Sequence, residues 1–301
     1  MIVYKSHDLQ VQVKKMAKAK KTKKQVAQKA HSIVHGKDHD GAIRRTLIVE
    51  VEKLQGLKNP VLIEGLPGIG FVGKLAAEYM VETLKARKVA EIYSHHFPHQ
   101  VLMEKDGTLK MLKNEIHLYK DPKKKRDLLL LIGDVQPASP EAQYEVINCI
   151  LDYMSTNGIN DVITLGGYST GKMTEKPKVF AAVSDVSEIK NYKNIGVVFG
   201  ETEGSIIGAA GLLIGLGKMR GVKGVCFMGE THGSYIDHRA AQRMIEILSK
   251  LLGLKIDTSK LTEKAKESEK IIRKIEEETN KAKQAMQPSE PVRPSELTYI
   301  R

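Results

Sequence analysis

Residues 59–74 read Asn-Pro-Val-Leu-Ile-Glu-Gly-Leu-Pro-Gly-Ile-Gly-Phe-Val-Gly-Lys and carry the spacing of two phosphate-binding devices at once. Gly68, Gly70 and Gly73 form G-x-G-x-x-G, while Gly68 through Lys74 form G-x-x-x-x-G-K. In either device glycine lets backbone N–H groups close on phosphate oxygens at a helix N-terminus. Each pattern lacks a part. A P-loop needs a Ser or Thr hydroxyl for magnesium after its lysine, and Leu75 stands there. A dinucleotide site needs an acid at the tip of the second strand. That strand, Val89 to Tyr93, runs into Ser94-His95-His96, with Glu91 inside it. Two readings follow. In one, Gly65, Gly68, Gly70, Gly73 and Lys74 line a ligand site. In the other they make a tight strand-to-helix turn, with Gly73 letting helix and sheet pack closely.

Two further segments carry groups capable of chemistry. His95, His96 and His99 cluster, but no H-E-x-x-H or C-x-x-C spacing accompanies them, so hydrogen-bonded loop histidines are expected and no metal. Glu230 through His238 follows a buried strand, where α/β proteins place ligands. Its Ser, His and Asp have no G-x-S-x-G elbow to support them, so a structured loop and helix cap are expected. Gly204, Gly208, Gly211, Gly215 and Gly217 fall in one apolar stretch read as a helix over 204–220. Each glycine weakens a helix by about 1 kcal/mol, which is tolerated where a backbone must approach a neighbour closely.

The elements that must position these residues alternate. Thr46 to Val51, Pro60 to Glu64 and Val89 to Tyr93 read as strands, with a helix over 71–86 opening from the glycine loop. Asp106-Gly107 marks a hairpin between 101–104 and 109–114, and Ile116 to Tyr119 continues its antiparallel sheet. Asp127 to Gly133 and Asp161 to Leu165 are apolar enough to be strands covered on both faces. A helix over 139–157 starts at Ser139-Pro140 and stops at Gly158. Strands over 195–199 and 222–228 and a helix over 239–253 complete the alternation. The fold expected is α/β, a mixed sheet flanked by helices with an inserted hairpin, over about 46–253.

Both ends differ from this body. Residues 1–45 hold ten Lys and two Arg against Asp8, Asp38 and Asp40, a net of +9 out of the chain's +12. They are read as a disordered basic tail, the only place where nucleic-acid affinity is expected. Leu261, Ala265, Ser268, Ile272, Ile275, Thr279, Ala282 and Met286 repeat with heptad spacing, so a protruding helix is expected over 258–286, paired with a neighbouring subunit. Pro288, Pro291 and Pro294 follow in an extended linker over 287–301. At its end Leu297, Tyr299, Ile300 and Arg301 form an apolar-aromatic tip of the kind that fits a partner's pocket. The chain has no apolar run long enough for a membrane span and no signal-peptide pattern, and its two cysteines, Cys149 and Cys226, sit in apolar contexts. A cytoplasmic protein with buried thiols is expected.

Gly65-Leu66-Pro67-Gly68-Ile69-Gly70, Gly166-Gly167-Tyr168, Gly204 to Gly217 and Gly229-Glu230-Thr231, with the strand Leu128 to Asp134 between them, together resemble the proteasome assembly chaperone family in its archaeal form. The resemblance covers about 45–253. It implies a fold similar to nucleoside phosphorylases but used for binding, with no cofactor and no catalytic residue. It implies homo-oligomers that dock on the α-ring of the proteasome core particle without ATP, as assembly chaperones or activators. Docking in the family uses a C-terminal tail ending in a hydrophobic residue, a tyrosine and a last residue. Here Thr298 precedes Tyr299, and Ile300 takes the place of the family's tyrosine, so the register is shifted by one. The alternative is a nucleotide-dependent ligase or phosphorylase using Gly68 to Lys74.

Overall fold

In the run Leu128–Gly133, Leu129 and Leu131 enter one core and Leu128 and Leu130 the other, so this strand separates two buried layers. A computed structural model describes residues 32–34 and 45–271, apart from 124 and 202. Its strands are β1 (Ser32–Val34), β2 (Thr46–Glu50), β3 (Val61–Gly65), β4 (Arg87–Ser94), β5 (Val101–Met103), β6 (Leu109–Met111), β7 (Asn114–Tyr119), β8 (Leu128–Gly133), β9 (Asp161–Ser169), β10 (Val179–Val183) and β11 (Lys223–Thr231). The helices are α1 (Val72–Thr83), α2 (Pro140–Thr156), α3 (Ala209–Met219), α4 (His238–Leu252) and α5, helical over 259–271.

Nine strands form one sheet in the order β1-β2-β4-β7-β8-β3-β9-β11-β10. The middle four, β8, β3, β9 and β11, are parallel. An antiparallel wing of β7, β4, β2 and β1 extends one side, and antiparallel β10 closes the other. Helices α2 and α3 cover one face, where Val146, Ile147, Ile150 and Leu213 pack on Leu62, Leu129 and Leu131. On the other face α1 and α4 place Val72, Ala76, Met80, Met244 and Leu248 on Val61, Ile63 and Phe227. The expected mixed sheet flanked by helices is therefore what forms.

Local signals set the helix ends. Ser139 Oγ accepts from the Ala142 amide at 3.2 Å with Pro140 in the first turn, and Asp237 Oδ1 accepts from the Ala240 amide at 2.8 Å. Gly253, at φ 64°, ends α4.

Several expectations need correction. The hairpin β5–β6 is a separate two-stranded sheet, and β7 belongs to the main sheet rather than to the hairpin. Residues 195–199 make only a bridge, Phe180 to Val198, because Gly196 (φ 94°) and Gly200 (φ 73°) interrupt an extended run. The sheet's edge there is β10 instead. The glycine-rich helix starts at Ala209, since Gly208 at φ 86° cannot be helical. Ser32–Val34, within the segment read as a tail, pairs with β2.

Candidate interaction surface at the carboxyl ends of the strands

The glycine loop joins β3 to α1 at the carboxyl end of the parallel strands, where open α/β sheets hold their ligands. Here that crevice is closed by backbone contact. A Cβ on Gly73 would stand 2.1 Å from the carbonyl oxygen of Leu165 in β9, so α1 lies flush on the sheet. Gly70 adopts φ 61°, and a Cβ there would meet Thr231 Oγ1 at 2.7 Å. The carbonyl of Gly70 accepts from the amide of Asp237 at 3.0 Å, tying the loop to the start of α4. Gly68, by contrast, has open space where a Cβ would go.

Lys74 does not face a phosphate cradle. Its Nζ donates to the carbonyl oxygen of Gly133 at 2.6 Å and lies 2.8 Å from Glu78, one turn on. What the turn presents outward is apolar. Ile69 and Phe71 are about half exposed, and Phe71 holds a left-handed backbone at φ 54°. That conformation costs a non-glycine residue on the order of 1–2 kcal/mol, and such residues concentrate at functional sites.

The hairpin β5–β6 carries a second exposed apolar surface. Val101 pairs with Met111 and Met103 with Leu109, so these four share one face of the hairpin. Met103 is 81% and Leu109 71% exposed. On the hairpin's opposite face Lys110 reaches Asp134, at the end of β8, with Nζ 3.3 Å from the carboxylate. Sequence reasoning placed the hairpin but passed over its surface. The signal was available: Val101, Leu102, Met103, Leu109 and Met111 make both arms of a short hairpin apolar.

The remaining candidates are occupied by structural contacts. His96 Nε2 pairs with Glu145, whose other oxygen accepts from Thr46 Oγ1 at 3.0 Å, while His95 and His99 are exposed. Among the described residues no group of three His, Cys, Asp or Glu side chains converges. Glu230 accepts from the Lys178 amide, His232 Nδ1 from the Ser234 amide, and Asp237 caps α4. His238 Nδ1 lies 3.1 Å from Ser268 Oγ on α5. Ser234, His232 and Asp237 therefore form no proton relay. Cys149 and Cys226 are buried thiols that form no disulfide, and burial pushes the Cys226 thiol up to about 12. The expected tip, Leu297, Tyr299, Ile300 and Arg301, lies outside the described residues, as does the heptad beyond Ile271.

One titratable group was not anticipated. Glu64, inside β3, is fully buried, and burial raises its pKa to about 8. Its Oε1 accepts from the Leu66 amide at 2.9 Å, and backbone hydrogen bonding at Leu66 and Leu165 offsets only part of the burial. On the antiparallel wing the opposite case holds. Burial opposes ionisation of Glu91, but hydrogen bonds from Lys113, Lys88 and Tyr93 outweigh it and hold the carboxyl at about 2.

The fold has parallels among known proteins. Pyrococcus furiosus PbaB, described as an archaeal proteasome activator, is similar in structure with a TM-score of 0.73. The two are 40% identical over 78% of this chain and all of that one. Pyrococcus furiosus PbaA, described as an archaeal homolog of proteasome-assembly chaperone, gives a TM-score of 0.62 at 27% identity, over 77% of this chain and 94% of that one. An uncharacterized protein of Methanocaldococcus jannaschii is 39% identical across 83% of this chain and 96% of its own length. The resemblance to archaeal proteasome assembly chaperones holds. With a family model matched over residues 62–276, the chain belongs to the PAC2 family.

Proposed function

We propose that this protein is an ATP-independent, homo-oligomeric proteasome-binding protein of the cytoplasm, an assembly chaperone or activator that docks on the core-particle α-ring through its C-terminal tails. The observation that carries this reading is the 40% identity to a proteasome activator along that protein's whole length. The closed glycine loop supports binding over catalysis. So does Lys74, committed to Gly133 and Glu78 rather than held ready for a nucleotide.

In this reading Leu297, Tyr299, Ile300 and Arg301 are the tip that enters the acceptor pocket. Several weak tips on one oligomer gain avidity when their spacing matches the ring. The exposed face of β5–β6, with Ile69 and Phe71 at the same end of the sheet, supplies apolar surface for contact between copies.

The test is to mix the full-length protein, or one lacking residues 299–301, with an archaeal proteasome core particle. Binding by the first and not the second is expected. Absence of binding by both would overturn the docking reading and bring forward the nucleotide-dependent alternative.

A further inference from the structure

The first two residues of the heptad seam are not available to a neighbouring subunit. Leu261 and Ala265 are each 2% exposed, and Leu261 belongs to the core beneath α1 and α4. The third seam residue, Ser268, places its Oγ 3.1 Å from Nδ1 of His238, the first residue of α4. Beside it Glu269 Oε1 accepts from Arg239 Nε. At the other end the approach to α5 is tied to α1: Tyr79 Oη donates to the carbonyl of Asp257 at 2.7 Å. The helix is thus gripped near its start and again at 268–269.

Apolar contact and polar pairing do different work here. Two buried side chains hold a helix against a surface but are non-directional, so they leave its rotation and exit angle weakly defined. A hydrogen bond and an ion pair on adjacent residues have fixed geometry and select one arrangement. These two side-chain contacts seat the helix on the first turn of α4. Asp237, next to His238, is itself bonded to the Gly70 carbonyl. The grip on α5 is therefore continuous with the closed glycine loop.

We infer that His238 and Arg239 form a clasp that positions the C-terminal helix through Ser268 and Glu269, setting the direction in which residues after 271 leave the domain. These are positioning residues. Their consequence for partner binding rests on the tail-docking reading, because tips add avidity only when they start from a defined place.

Arg239→Glu, Glu269→Arg and the double charge swap, each in the full-length chain, separate the two claims. Hydrogen exchange at amides 259–271 reads the clasp itself. Each single reversal should speed it on the order of tenfold, with the swap restoring protection. Affinity for an archaeal core particle reads the positioning. It should fall with either single reversal and recover in the swap, with Tyr299→Ala measured alongside. Unchanged exchange in both single variants overturns the clasp. Faster exchange with undiminished binding, where Tyr299→Ala does weaken binding, overturns positioning and leaves docking intact. Undiminished binding by Tyr299→Ala overturns docking and the positioning role with it, and the exchange data then decide the clasp alone.

Discussion

Lys74 Nζ is hydrogen-bonded to the backbone carbonyl of Gly133 at 2.6 Å, so the lysine of the G-x-x-x-x-G-K sequence joins α1 to the end of β8. A nucleotide would have to break that bond and the contact with Glu78 to recruit the same ammonium. ATP with magnesium should therefore leave the melting temperature unchanged, whereas a ligand held by the native state would raise it. Scanning calorimetry with and without ATP checks this. A rise that Lys74→Ala removes would restore the nucleotide site.

Gly73→Ala should be severely destabilising. The added methyl would lie 2.1 Å from the Leu165 carbonyl oxygen, backbone against backbone, with no flexible side chain to yield. A loss of about 3 kcal/mol or more is expected. Gly68→Ala, five residues earlier, meets nothing within 4 Å and should cost under about 1 kcal/mol. Urea denaturation of the two variants compares them. Equal losses would mean the loop's glycines are not discriminated by packing.

Glu64 makes stability fall as pH rises. Its carboxyl titrates near 8 in the folded protein against 4.5 in the ordinary state, so folding favours the protonated form. That contribution is complete below pH 4.5 and is lost progressively as pH climbs to 8, by an amount on the order of a few kcal/mol. Glu64→Gln should flatten the decline between those values. Glu91 acts in the opposite sense: held at about 2, it contributes stability above pH 4.5 that is lost as pH drops toward 2. Denaturation midpoints from pH 3 to 9 measure both slopes. A Glu64→Gln profile parallel to that of the parent protein would refute the assignment.

Lysine at Met103 and Leu109 tests the hairpin. Both side chains are largely exposed, so the double substitution should change the stability of a single copy by no more than about 0.5 kcal/mol. If the hairpin face joins copies, light scattering will show dissociation to smaller species. An unaltered molar mass would remove the hairpin from the assembly.

What could be read from sequence was local. Ser139 and Gly253 mark helix ends because caps act over one turn. The leucines of β8 declare a strand buried on both faces because side chains alternate. The strand–helix alternation then leads to an α/β sheet. Glycine spacing in the β3–α1 loop showed that something must approach closely, without showing what.

Tertiary structure decided the rest. Gly73 meets a carbonyl of β9, some ninety residues away in sequence, and only the folded sheet brings that oxygen to it. The hairpin's detachment from β7 depends on which strand β7 pairs with, and a run of alternating residues does not specify its neighbour. Glu64 looks like any strand residue until two layers of helices close over it. The heptad at Leu261, Ala265 and Ser268 announced an apolar stripe on a helix. Periodicity reports that such a stripe must be covered, and the fold supplied the cover from α4 of the same chain.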